Sequence, residues 1–136
     1  MMKPEIKIFT DGASRGNPGP AGCGYIIYAD GTEIASGKKY LGTATNNVAE
    51  YTAVLEACKD PILASYTHLN FFLDSELVVK QMKGEYKVKN PGLIPLKDQL
   101  RMMLREKFVT FTHVPRAQNK EADLLANQAI DSYNAL

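Results

Sequence analysis

The sequence predicts an α/β domain built on a mixed sheet with helices packed on its faces. Two observations carry this. Three segments of strand length come first and are joined by turn-forming residues, which makes them antiparallel neighbours. After them, short apolar segments alternate with stretches of helical periodicity, the pattern of crossover units that set strands parallel. The order reads βββ-α-β-α-α-β-α. No repeat, low-complexity tract or linker divides the 136 residues, so 1–136 is expected to form a single domain.

Taken in order, residues 5–10 alternate and read as the first strand. Asp11 to Gly22 (DGASRGNPGPAG) is rich in Gly and Pro and reads as a loop. Cys23–Ala29 is the second strand, Asp30-Gly31 a hairpin turn and Thr32–Tyr40 the third strand. Thr45, Asn46 and Asn47 offer caps for a helix running to about Lys59, which Pro61 keeps from continuing. His68–Leu73 is a short apolar strand, and a helix follows from near Ser75. Lys83–Pro91 is polar, basic and loop-like. Leu93–Glu106 returns to helical spacing through Leu93, Leu96, Leu100, Met103 and Leu104. Phe108–His113 alternates as a fifth strand, and Asn119 to about Tyr133 forms the last helix.

Composition narrows the class. Apolar residues make up 45% and charged residues 23%, the proportions of an ordinary soluble globular protein. No apolar stretch approaches the ~20 residues of a membrane span. The first residues, Met-Met-Lys-Pro-Glu, lack an apolar signal region, so a cytoplasmic location is expected. Cys23 and Cys58 belong to no Cys-x-x-Cys pair and read as reduced core thiols. A net charge of +1 makes no case for nucleic acid by itself, so phosphates would have to be met by local patches. Nothing points to an obligate oligomer, and a monomer is expected.

Four acids stand where acids are costly. Asp11 closes the apolar run Ile6–Thr10, and Asp74 closes Leu69–Leu73. Glu50 shares a helical face with Ala53, Val54 and Ala57, and Asp123 lies beside Ala122, Leu125, Ala126 and Ala129. A carboxylate held against a core is unfavourable unless paired or bound to metal. If the strands ending at Asp11 and Asp74 are parallel neighbours, their carboxylates lie side by side at the carboxyl edge, where ligand sites of α/β sheets occur. Asp11-Gly12 also suits a turn and Asp74-Ser75-Glu76 a helix cap, so no single acid decides the matter; the four together do. All-oxygen ligands select Mg²⁺ or Mn²⁺ over zinc. Two such ions about 3.5–4 Å apart make the arrangement that cleaves phosphodiesters.

The blocks around these acids, TDGASRGNPGPAG-CGY, TNNVAEYTAVLEA, LDSELVVKQ and HVPRAQNKEADLLANQA, resemble the four successive blocks of type 1 ribonuclease H, in its compact form. The match runs from about Ile6 to Ile130. The resemblance implies the ribonuclease H-like fold, a five-stranded mixed sheet of order 3-2-1-4-5 flanked by helices. It also implies metal-dependent cleavage of the RNA strand of an RNA–DNA hybrid, leaving 5′-phosphate and 3′-hydroxyl ends, with two Mg²⁺ or Mn²⁺ ions bound alongside the substrate. By motif position Asp11, Glu50, Asp74 and Asp123 match the metal-binding acids. Asn17 and Thr45 match positions that hold a DNA-strand phosphate. Asn46 and the backbone of Gly12–Ser14 match positions near the RNA 2′-hydroxyls, the group that tells RNA from DNA.

Four departures from the family pattern bear on turnover and grip. Val48 stands where a phosphate-contacting Arg is common. The flexible-loop histidine has no counterpart in Pro115-Arg116-Ala117-Gln118; Arg116 is the candidate to act electrostatically in its place, and it cannot be a general base at neutral pH. Glu76 occupies a position often held by Gln and adds charge near the hybrid. His113 reads as a structural histidine ending the last strand. The long basic protrusion of the bacterial enzymes is replaced by Lys80, Lys83, Lys87 and Lys89 around Tyr86; Lys89 is included among the substrate contacts, and the run reads equally as a solvated face balanced by Glu76 and Glu85. Lys97, Arg101 and Arg105 read as the solvent side of a helix. Two other functions compete with hybrid cleavage: a binding module that holds nucleic acid without cutting, and a nuclease of altered range such as one acting on double-stranded RNA. The intact set of acids speaks against the first.

Overall fold

Period-two apolar patterning builds β1 (Ile6–Ser14), β2 (Gly19–Ala29) and β3 (Thr32–Ala44), which pair antiparallel in sequence. The computed structural model describes residues 4–134. β4 (His68–Leu73) and β5 (Phe108–His113) then add in parallel on the other side of β1, giving the order β3-β2-β1-β4-β5. This is the expected sheet, with β1 and β4 as parallel neighbours. Thr45 caps α1 (Asn46–Cys58) by accepting from the Val48 amide, and Ser75 caps α2 (Glu76–Met82) by accepting from the Val78 amide. α3 (Ile94–Leu104) and α4 (Lys120–Asn134) complete the helices.

Two glycines show how the sheet is clad on both sides. A Cβ on Gly12 would lie 2.2 Å from the Ala49 carbonyl carbon of α1, and one on Gly22 would lie 2.5 Å from the Ala126 oxygen of α4. Gly12 pairs with Cys23, so Gly22 points to the opposite face and α1 and α4 sandwich the sheet. The main core lies on the α1 side, where Ile6, Ile8, Tyr51, Val54, Phe71, Leu73 and Val78 pack together with Leu93, at the start of α3, and Leu100 within it.

The expected loop from Asp11 to Gly22 is largely strand. β1 runs on to Ser14 and β2 begins at Gly19, leaving a turn at Arg15–Pro18 with a cis Asn17–Pro18 bond. Of its glycines, Gly16 does serve the turn, whereas Gly12 and Gly22 let two helices approach the strands. β3 likewise runs four residues past Tyr40, because its extension pairs with Gly19–Ala21. Asp11 therefore does not end its strand, although the parallel pairing with β4 ends at Phe9 and leaves Asp11 just beyond it. Two 3-10 turns, Pro61–Ser65 and Arg116–Gln118, stand where loops were expected. Within the basic loop, Val88 is buried and anchors an otherwise exposed segment. No helix among the described residues is long and apolar enough to cross a membrane.

Candidate active site

Three separate elements deliver carboxylates to one point. Asp11 comes from β1, Glu50 from the first half of α1 and Asp74 from the residue after β4; one oxygen of each lies within 4.8 Å of the others. Glu50 is carried there by the close contact of α1 with Gly12, whose amide donates to Glu50 Oε1 at 3.3 Å. Asp11 is 4% and Glu50 6% exposed, while Asp74 is half-buried. Asp123, from the first turn of α4, lines the same cleft but stands outside the tight group of three. Its Oδ1 accepts from Asn127 Nδ2 at 3.2 Å, a contact of the i, i+4 kind.

The electrostatics follow from burial. Burial first, and the Glu50 charge second, hold the Asp11 carboxyl far above the usual carboxylate range. Burial also raises Glu50 to about 7, opposed by hydrogen bonds from Asp11 and the Gly12 amide and by the positive charge of Arg116. Without cations the pair thus shares a proton. Glu50 Oε2 is buried with no hydrogen-bond partner. An orphaned carboxylate oxygen beside two further carboxylates, with no nitrogen or sulfur ligand in the cluster, fits hard divalent cations held by oxygen.

The cleft occupies about 550 Å³ and is open to solvent; Gly12, Ser14, Asn46, Ser75 and Arg116 line it beside the four acids. Asn46 bridges its wall, accepting from the Ser14 amide through Oδ1 (3.0 Å) and donating its own amide to Asn17 Oδ1 (3.1 Å). Asn17 and Thr45 thus stand behind Asn46, Thr45 as the helix cap and Asn17 in the exposed turn. Val48 is half-buried, packs against the core, and gives its amide to that cap.

Two predicted contacts lie elsewhere. Glu76 pairs with Lys80 at 2.9 Å and lines a separate cleft with His113, which is exposed where a packed or hydrogen-bonded structural histidine was expected. Lys89 is exposed in the loop after α2 and does not line the acidic cleft. Sequence reasoning missed Asn127, Ser75 and Asn119. The i+4 spacing from Asp123 could have flagged Asn127, whereas Asn119 looked only like the start of a helix.

Known proteins resemble this chain in sequence and fold. A family model described as reverse transcriptase-like matches residues 9–129. The chain is 43% identical over 131 residues to the bifunctional protein Rv2228c of Mycobacterium tuberculosis, covering 94% of this chain and 36% of that protein. It thus spans about a third of the length of the mycobacterial relatives it matches. It is 40% identical over 132 residues to ribonuclease HI of Halobacterium salinarum, covering 93% of this chain and 64% of that protein. The solved structure of LC11-RNase H1, isolated from compost and crystallised with an RNA/DNA hybrid, aligns with a TM-score of 0.89 at 39% identity, covering 95% of this chain and 99% of that one. With sheet order, acidic cleft and sequence in agreement, the chain belongs to the ribonuclease H family, in its type 1 branch.

Proposed function

We propose that this chain is an endonuclease that hydrolyses the RNA strand of RNA–DNA hybrids, using two Mg²⁺ or Mn²⁺ ions and giving 5′-phosphate and 3′-hydroxyl ends. The observation that carries the reading is the convergence of Asp11, Glu50 and Asp74 within 4.8 Å, with an unpartnered Glu50 oxygen, on an open cleft. A relative that binds an RNA/DNA hybrid with the same fold supports the choice of substrate. Asp11, Glu50, Asp74 and Asp123 would hold the ions. Bound there, divalent cations supply an activated water and charge stabilisation for the leaving 3′-oxygen.

The remaining work falls to the protein. Asn46 and the Gly12–Ser14 strand form the wall along which a minor groove and its 2′-hydroxyls would lie, and Asn17 and Thr45 would take the DNA-strand phosphate beside them. Arg116, exposed and lining the cleft, would neutralise the scissile phosphate or the departing product. Glu76 and Lys89, which do not line the acidic cleft, would meet flanking backbone, and the domain is read as acting as a monomeric unit.

The test is an incubation with Mn²⁺ or Mg²⁺ on labelled RNA–DNA hybrid, double-stranded RNA and single-stranded RNA. Cutting confined to the RNA of the hybrid is expected. Binding without cutting of any substrate would mark a non-cleaving module, and cutting of double-stranded RNA would mark an altered range.

A further inference from the structure

Asn119 stands immediately before α4 and is 1% exposed. Its Nδ2 donates to the Thr10 carbonyl at 2.9 Å and approaches Asp74 Oδ2 at 3.4 Å. Both partners are acceptors, so only the amide NH₂ can satisfy them, and the orientation follows from chemistry. The Oδ1 on the other side is buried and unpartnered. Asn119's own carbonyl accepts from the Asp123 amide at 3.1 Å, and its amide donates to the Arg116 carbonyl at 2.9 Å. One buried residue is therefore bonded to Asp74 and to the peptide just before Asp11, and it joins the end of the turn that carries Arg116 to the start of the helix that carries Asp123.

We propose that Asn119 is a positioning residue that holds Asp74 in register with Asp11 and so sets the affinity of the acidic cluster for divalent cations. The proposal rests on the reading of these acids as metal ligands. Ligating carboxylates are oriented by hydrogen bonds from outside the ligand set, and losing such a partner typically weakens metal binding or activity about 10–100-fold. A side chain that served only as packing would leave metal affinity unchanged once the protein is folded. The amide donor itself matters here, because removing it leaves the Thr10 carbonyl and Asp74 Oδ2 as two acceptors facing each other across a gap.

The experiment compares the parent with Asn119→Ala and Asn119→Ser, the latter retaining a small donor. Three quantities are read: thermal unfolding in EDTA, Mn²⁺ affinity by calorimetry without nucleic acid, and kcat and KM on labelled hybrid. At temperatures where it is fully folded, Asn119→Ala should bind Mn²⁺ about tenfold more weakly and lose about tenfold in kcat. Its KM should stay within about twofold, with Asn119→Ser intermediate in all three. In an Asp74→Asn background, the same Ala substitution should change Mn²⁺ affinity by less than about twofold. Mn²⁺ affinity and kcat within twofold of the parent would overturn the proposal, as would a tenfold loss of affinity that persists in the Asp74→Asn background. If Asn119→Ala does not fold, Asn119→Ser alone decides by the same criteria. A parent that binds Mn²⁺ yet cuts no hybrid would contradict the proposed function, leaving calorimetry to decide the role of Asn119.

Discussion

At Asp11 and Glu50 the demands of folding and of function pull against each other. Both carboxyls are buried with pKa values raised chiefly by desolvation, Glu50 to about 7 and Asp11 well beyond the carboxylate range. Above about pH 4.5 the unfolded chain has lost protons that the folded pair still holds. The metal-free protein therefore loses stability as pH rises from about 5 through 7 and beyond. Asp11→Asn removes one member of the pair. It should abolish cleavage while making the EDTA-treated protein more stable at pH 8 by about 1–3 kcal/mol, a gain that shrinks toward pH 5. Thermal unfolding at the two pH values checks this, and a less stable variant at pH 8 would count against a proton-sharing pair. Arg116 is exposed, so its loss should cost chemistry and not folding. Arg116→Ala is expected to lower kcat about tenfold with hybrid affinity little changed, as steady-state kinetics would show; unchanged turnover would remove Arg116 from the mechanism. The acids could be picked out in the sequence because carboxylates in apolar runs are costly. Asn119 could not, because its role depends on Thr10 and Asp74, which are distant in sequence and adjacent only in the fold.

At the scale of elements, order and type were legible because hydrophobic period and capping residues agree with each other, whereas the sheet order β3-β2-β1-β4-β5 followed from the family resemblance. Thr45 and Ser75 cap the helices expected to begin beside them, and β4 and β5 have the expected bounds. What misled was glycine. In Asp11–Gly22 it signals turns and close packing equally well, and only the packed helices reveal that Gly12 and Gly22 serve the second purpose. Gly12→Ala tests this directly. With backbone of α1 at 2.2–2.4 Å from the added carbon, strand and helix must move apart, carrying Glu50 away from Asp11. A loss of about 2–4 kcal/mol in stability, measured by denaturant unfolding, is expected together with loss of activity. The 3-10 turn that carries Arg116 was unreadable for a different reason: three residues between Pro115 and Asn119 have too little periodicity to register.

Across the whole molecule, grip on the substrate is the thin part of the design. Net charge is +1, and two of the four lysines between Lys80 and Lys89 are tied to acids, Lys80 to Glu76 and Lys83 to Glu85. Among the described residues Lys87 and Lys89 form no such ion pair. Replacing both with Ala should weaken hybrid binding at low salt irrespective of sequence and flatten its salt dependence by about 1–2 in log–log slope. Anisotropy titrations with Asp74→Asn protein would measure this, and an unchanged slope would make the loop a solvated face only. Cation-dependent hydrolysis of the RNA strand is the activity proposed for the acidic cleft. It is tested most directly by end analysis of products from a doubly labelled RNA–DNA hybrid, for the parent and a folded Asp74→Asn variant with Mg²⁺ or Mn²⁺. Internal cuts in the RNA strand alone are expected, with 5′-phosphate and 3′-hydroxyl ends, dependent on the cation and lost in Asp74→Asn. Cleavage that persists in Asp74→Asn or in EDTA, or no cleavage by the folded parent with either cation, would contradict that activity.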